Sequence, residues 1–102
     1  MAEAVRAARI DTDGGRFAVN GPLTFATARR TCAAGISAFE GGSGEVVVDC
    51  TGVSAADSAG VAVLIEWRRW ARSQGRALSF ANLPAAIQGI ARISGLEGVL
   101  GS

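Results

Sequence analysis

Histidine, lysine and tyrosine are absent from the 102-residue chain. The chain therefore lacks a part of most catalytic sites: the base of a Ser-His-Asp triad, imidazole metal ligands, the amine of a Schiff base and the lysine of a P-loop. We expect no self-contained enzyme and no cofactor or metal. Ten arginines oppose nine carboxylates for a net charge of +1, so no overall field attracts nucleic acid or acidic lipid.

Cysteines are few as well, and long apolar runs are missing. Cys32 and Cys50 are too few for a disulfide scaffold, so we expect both to be reduced and buried. Residues 1–9 include three charged side chains and no apolar core of a signal peptide, and the longest apolar run, 59–65, is too short to span a bilayer. With 49% hydrophobic residues, the sequence predicts one globular, cytoplasmic domain over 1–102.

The first half of the chain shows the periodicity of a hairpin, a helix and a buried strand. Strands are predicted at 5–11 and 16–19, around an Asp-Gly-Gly turn. A helix follows Thr24 and ends at Gly41 and Gly42, and its predicted buried face consists of Phe25, Ala28, Cys32, Ile36 and Phe39. The β-branched run at 45–50 predicts a central strand covered on both faces.

Two further helices and one more strand are predicted in the second half. A helix begins near Ser58 and ends at Gly75, a strand covers 77–81, and Pro84 opens a helix that buries Ile87, Ile90 and Ala91 and stops at Gly95. Leu96, Val99 and Leu100 are expected to fold back as an apolar clasp. The order β-β-α-β-α-β-α predicts an α/β fold with a single mixed sheet and helices packed on it.

The loop before the second helix is the candidate site. Ser58 follows Asp57 where the helix begins, so its hydroxyl can cap exposed backbone N–H groups. Gly60 allows another surface to approach the first turn closely. Taken alone, the capping residues are equally consistent with ordinary helix chemistry.

The second helix is apolar on all sides, which one sheet cannot cover. At 100° per residue Val61 points away from Val63, and Val61, Leu64 and Ala71 are assigned to the sheet. Trp67 and Trp70 then lie on a flank, as interface anchors or, alternatively, packed under neighbouring helices. The pattern predicts that another polypeptide covers the start of this helix.

Two other patterns could indicate specific binding or reactive sites, but simpler structural explanations are favoured. Residues 67–72 interleave arginine and tryptophan, which suits single-stranded nucleic acid or an anionic membrane, although cations near a helix C-terminus explain them more simply. Asp49 and Asp57 suggest a Mg²⁺ or phospho-accepting pocket, but no lysine is available and capping roles are favoured. Cys50 has no histidine to activate its thiol as a nucleophile.

Residues 47–61 read Val-Val-Asp-x-x-Gly-Val-x-x-x-Asp-Ser-x-Gly-Val, which resembles the STAS domains of anti-sigma-factor antagonists and sulfate transporters. With residues 23–27, 57–67 and 91–96, the likeness extends over almost the whole chain and narrows to the MlaB group, the small STAS subunits of phospholipid-transporting ABC complexes. The resemblance implies a STAS-like fold and a non-catalytic adaptor that docks on an MlaF-like ATPase subunit and affects outer-membrane lipid asymmetry.

The position of the family's functional Ser or Thr corresponds to Ser58 in this chain. In the antagonist branch of the family, a partner kinase phosphorylates the residue at that position. Ala59 replaces the second Ser common in antagonists and favours the transporter branch. The resemblance implies a protein held at the inner membrane by its partner, without insertion into the bilayer. The near-neutral charge argues against nucleic-acid binding, and the sequence leaves a homodimer open. The expected partner-binding residues are Asp57, Ser58, Ala59, Gly60, Val61, Val63, Trp67 and Trp70.

Overall fold

A computed structural model describes residues 7–100, apart from the side chains of Glu97 and Val99. The strands are β1 (Arg9–Asp13), β2 (Arg16–Leu23), β3 (Val46–Asp49), β4 (Val53–Ala56) and β5 (Leu78–Ala81). The helices are a 3-10 turn (Phe25–Thr27), α1 (Ala28–Glu40), α2 (Ser58–Ser73), α3 (Ala85–Ser94) and α4 (Glu97–Leu100). The predicted α/β class, with one mixed sheet and packed helices, is confirmed.

The sheet has the order β1-β2-β3-β5, and β4 pairs with the far end of β2. β1 and β2 form the predicted antiparallel hairpin, and the other pairings are parallel. β3 lies between β2 and β5, as expected of a central strand. The prediction of a plain loop before α2 is wrong, because β4 pairs with β2 beyond a register shift at Gly21 and Pro22. The predicted first-strand residues 5 and 6 lie outside the described residues.

One face of the sheet forms the core. Phe17 and Val48 are paired neighbours on this face, and both are buried. On the opposite face Arg16 donates to Asp49 over 3.0 Å, and Asp49 also accepts from Thr51 Oγ1 over 2.6 Å. These bonds, first of all that of the Thr51 hydroxyl, lower the pKa of Asp49. Since β3 alternates buried and half-buried side chains, the prediction that it is covered on both faces is wrong.

Trp67 lies at the centre of the core, fully buried. Its indole Nε1 donates to the carbonyl of Cys32 over 3.0 Å, and its ring meets Phe39 edge-on at 5.5 Å. Gly35 of α1 lies directly against the indole, since a Cβ there would stand 2.6 Å from Nε1 and closer still to the ring carbons. The predicted flank position of Trp67 is therefore wrong, because the missing side chain at Gly35 lets α1 close over it.

The buried face of α1 is also rotated from the prediction. The buried residues recur every fourth position: Thr27, Thr31, Gly35 and Phe39. Of the predicted face, Ala28, Cys32 and Ile36 are only half-buried, and Phe25 is 83% exposed. The α-helix begins only at Ala28, so the preceding 3-10 turn places Phe25 outside the predicted periodicity.

The last helices cover the other flank of α2. Ile87 and Ala91 are buried as predicted, Ile90 is half-buried, and Gly95 ends α3 with a φ of +73°. Leu100 is buried and Leu96 half-buried, so α4 folds back, although the side chain of Val99 lies outside the described residues. Within residues 7–100, no helix combines the length and the apolar character needed to cross a membrane.

Candidate functional site

The carboxylate of Asp57 joins the starts of two helical segments. Its Oδ1 accepts from the backbone N–H groups of Ala59 over 2.9 Å and Gly60 over 3.1 Å, which makes Asp57 the N-cap of α2. Its Oδ2 accepts from the backbone N–H of Phe25 over 3.0 Å. Hydrogen bonds stabilise the charged form of a carboxylate. These backbone donors therefore lower the pKa of Asp57, and the N–H of Phe25 makes the largest contribution.

Gly60 serves packing within the chain. A Cβ at Gly60 would overlap the carbonyl oxygen of Leu23 and stand 2.8 Å from the Leu23 Cβ. The backbone N–H of Asp57 donates to the same Leu23 carbonyl over 3.2 Å. The close approach predicted at Gly60 is therefore made by the end of β2, and Gly60 is buried against the chain itself instead of facing a partner.

Ser58 is the first residue of α2, and it is exposed. The predicted cap from its hydroxyl is wrong, because the Asp57 carboxylate already accepts from the free N–H groups of the first turn. Its position at a helix N-terminus, beside a carboxylate and in contact with solvent, leaves the hydroxyl available to a partner protein.

An open groove runs between α1 and α2, starting one residue beyond Ser58. It has a volume of about 490 Å³ and is lined by Ala28, Arg29, Cys32, Ala33 and Ile36 of α1 and by Ala59, Ala62, Val63 and Glu66 of α2. Small and apolar side chains form most of this α1–α2 groove, and two opposite charges, Arg29 and Glu66, lie among them. Burial and the nearby Glu66 charge raise the pKa of the Cys32 thiol.

Phe25 lies in the 3-10 turn before α1, and its backbone is joined to the start of α2. Its side chain is 83% exposed, while its backbone N–H is fixed to Asp57. We call Phe25, Ser58, Ala59 and Ala62, together with the α1–α2 groove, the docking surface. Among the described side chains, Phe25 and Ile93 are the large hydrophobic residues that are exposed, and Phe25 is the one whose backbone is joined to the start of α2. The one signal in the sequence that Phe25 lies outside the core is its position directly after Thr24, where the helix was predicted to start.

The remaining predicted partner-binding residues are mostly internal. Gly60, Val61, Val63 and Trp67 are buried by α1, α3 and the sheet, so within the folded chain they support the surface from below. Val61, Leu64 and Ala71 are buried, in agreement with their predicted assignment. The all-round apolar character of α2 is explained by covering helices of the same chain, so the prediction that another polypeptide must cover it was too broad.

Trp70 is half-buried at the other end of α2. Its ring lies 5.7 Å from that of Phe39, and the Arg76 guanidinium stacks over it at 5.5 Å. Arg76 also donates to the carbonyls of Gly44 and Phe39. Trp70 is therefore a half-buried packing residue, remote from Ser58 along the helix.

The remaining candidates for reactive groups are two carboxylates, Asp49 and Asp57, and two thiols, Cys32 and Cys50. Asp49 and Asp57 lie in separate hydrogen-bonded arrangements, so the predicted alternative of a shared acidic pocket is wrong. Among the described residues, no group of three or more His, Cys, Asp or Glu could hold a metal ion. Cys32 and Cys50 are both free thiols, and burial, with a contribution from the Asp49 charge, raises the pKa of Cys50 to about 12.

Comparison with solved structures identifies the same fold in three different proteins. A sulfate transporter family protein from Wolinella succinogenes matches with a TM-score of 0.65 at 21% identity, over 84% of this chain and 70% of that one. SLC26A9 matches with a TM-score of 0.70 at 18% identity, over 83% of this chain and 17% of that one. The unphosphorylated anti-sigma factor antagonist SpoIIAA matches with a TM-score of 0.61 at 14% identity, over 85% and 83%.

The family model described as "Mlab, STAS domain" matches residues 7–101. No curated protein sequence is similar enough to the chain to count as a match. STAS domains are typically non-catalytic, and this family supports a regulatory or adaptor role. The chain belongs to the MlaB group of the STAS domain family.

Proposed function

We propose that this protein is a non-catalytic adaptor that docks on the ATPase subunit of a phospholipid-transporting ABC complex and supports its assembly and activity. The observation that carries the proposal is the docking surface: an apolar groove of about 490 Å³ that begins next to the exposed Ser58, with the exposed Phe25 held at the start of α2 through its backbone bond to Asp57. Membership of the MlaB group supports the choice of partner.

The energetics favour a partner that covers Phe25. Burying a phenylalanine side chain contributes about 2–3 kcal/mol, and aromatic residues are common among the few that dominate interface energies. The Asp57 bond to the Phe25 backbone holds the base of this side chain in place, so less conformational entropy is lost on binding. The apolar groove residues then exclude water around the aromatic anchor.

In this proposal the protein acts at the cytoplasmic face of the inner membrane and is held there by the transporter. The docking surface contacts a protein, so we expect neither insertion into the bilayer nor binding of nucleic acid. By this route the adaptor influences outer-membrane lipid asymmetry without contacting lipid in the bilayer core.

Co-purification with the ATPase, followed by measurement of ATP hydrolysis, tests the proposal. Ala62→Glu places a charge in the groove, and Ser58→Arg places a large side chain at its end; both should abolish co-purification and reduce ATP hydrolysis by the complex. Ala34→Glu is the matched control, because Ala34 is exposed on the side of α1 opposite to the groove. If both surface variants bind and support ATP hydrolysis like the control, the docking surface is wrong.

A second candidate function is an anti-sigma-factor antagonist that is switched by phosphorylation of Ser58. The exposure of the Ser58 hydroxyl favours it, because a kinase needs access to the acceptor oxygen. A phosphate there would add a charge of about −1.5 to −2 beside the Asp57 carboxylate and would oppose burial of the docking surface. Incubation with a partner kinase and mass spectrometry of the Ser58 peptide tests this function. Phosphate on Ser58 that releases an anti-sigma partner would support it, whereas an unmodified Ser58 would exclude it.

A further inference from the structure

The flank of α2 opposite to the docking surface carries a cationic cleft. Two adjoining depressions, of about 260 and 360 Å³, share Arg68 and Arg72 as lining residues. The first lies between α2 and Gly98 of α4, and the second reaches Leu78 of β5. Arg68 and Arg72 are four residues apart and therefore project from the same face of the helix. We call this region the arginine cleft.

Within the described side chains, Arg68 and Arg72 differ from several other arginines in having no carboxylate partner. Arg9, Arg16 and Arg69 each pair with a carboxylate, at 3.1, 3.0 and 3.2 Å. No carboxylate among the described side chains pairs with Arg68 or Arg72. These two cations therefore remain available to an anion from outside.

Arg68 is also held in a fixed position. Its guanidinium stacks over the Phe80 ring at 5.6 Å, and its Nε is buried without a hydrogen-bond partner in the described part of the chain. Because the Nε is enclosed by protein, an external acceptor can reach this guanidinium only through its terminal nitrogens. The stacking leaves less conformational entropy to lose when that acceptor binds.

The charge balance of the cleft favours an anion, although the negative C-terminal end of the α2 dipole lies nearby. The C-terminus of α2 carries the equivalent of about −0.5 charge, and Glu66 neutralises Arg69. Arg68 and Arg72 leave a surplus of positive charge. A phosphate group fits this charge arrangement, because its oxygens accept bidentate hydrogen bonds from guanidinium groups.

We propose that the arginine cleft binds the phosphate group of an anionic ligand between Arg68 and Arg72. The same chemistry is offered by a soluble phosphate ester and by the headgroup of an anionic phospholipid. The inference does not depend on the proposed function, because the docking surface lies on the other side of α2.

Binding to the whole chain tests the proposal with two probes. Isothermal titration calorimetry with glycerol phosphate reports a soluble ester, and co-sedimentation with vesicles of phosphatidylcholine, with and without phosphatidylglycerol, reports a lipid headgroup. Arg72→Gln, at an exposed position, and Arg68→Lys, which keeps the charge but loses the guanidinium fork, should each weaken binding about tenfold or more. Arg9→Gln removes one exposed charge from the far face of the sheet and should leave binding unchanged.

Binding of glycerol phosphate with this variant pattern supports a soluble ester, and binding only to phosphatidylglycerol vesicles with the same pattern supports a headgroup. The proposal is overturned if neither probe binds, if Arg9→Gln weakens binding as much as Arg72→Gln does, or if a single-stranded oligonucleotide binds where both probes fail. Thermal melting of each variant shows that a loss of binding is not a loss of fold.

Discussion

Replacing Gly35 by alanine should destabilise the protein, against the usual preference of helices for alanine. The new Cβ would stand 2.6 Å from the Trp67 Nε1 and closer to the ring carbons, so the indole must move. A shift of the Trp67 indole would weaken its hydrogen bond to the Cys32 carbonyl and its edge-on contact with the Phe39 ring. Overpacking costs about 1–3 kcal/mol and the lost hydrogen bond about 1 kcal/mol, whereas helix propensity returns about 1 kcal/mol.

The expected net loss is therefore about 1–3 kcal/mol in the free energy of unfolding. For a chain of 102 residues, each kcal/mol lowers Tm by about 4–8 °C, so circular dichroism melting should show a drop of at least about 4 °C. Gly89→Ala is the matched control, because Gly89 also lies inside a helix but a Cβ there meets no atom within 4 Å. It should raise stability by up to about 1 kcal/mol. If Gly35→Ala is as stable as Gly89→Ala, α1 does not close over Trp67 as described.

Three other predictions concern Asp57, Phe25 and Cys50. The pKa of Asp57 is lowered in the folded protein, so the unfolded chain takes up the proton first. Its contribution to stability is present above about pH 4 and is lost as the pH falls through the folded pKa. Asp57→Asn keeps a capping oxygen and should weaken this acid dependence in urea unfolding series; an unchanged slope would contradict the assignment. Phe25→Ala should change stability by less than about 0.5 kcal/mol, because the ring is exposed, yet weaken ATPase binding about tenfold or more. A large loss of stability would instead place Phe25 in the core. Cys50, with a pKa of about 12, should have a thiolate fraction of roughly one in ten thousand at pH 8 and react with a thiol reagent only on unfolding; rapid labelling of the native protein would refute its burial.

The sequence was sufficient for most of the order of elements, although it missed β4. The Asp-Gly-Gly turn, the Val-rich strand and the glycine at the end of α3 each have a local chemical cause, and the structure contains all three features. The start of α2 was located correctly because a capping residue and an apolar run coincide at Asp57. Features of this kind can be predicted from a few neighbouring residues in the sequence.

The errors arose where packing between elements decides the outcome. The buried stripe runs from Thr27, at the end of the 3-10 turn, to Thr31 and Gly35 of α1, and no hydrophobic pattern selects these residues. The buried Thr31 hydroxyl accepts a hydrogen bond from the Ala8 backbone N–H. The position of Trp67 depends on the space left at Gly35, a relation between two helices. β4 escaped prediction because its middle residues are exposed and its partner is the distant end of β2.

Thiol labelling of Cys32 in the wild-type protein tests the central claim most directly. Cys32 lines the α1–α2 groove, whereas the buried Cys50 provides an internal control in the same chain. Labelling is followed by mass spectrometry of the Cys32 peptide, with the protein alone and in complex with the ABC ATPase. If a partner covers the docking surface, labelling of Cys32 should slow at least about tenfold in the complex, since an interface core excludes solvent. An equal labelling rate in a stable complex would show that the partner binds elsewhere.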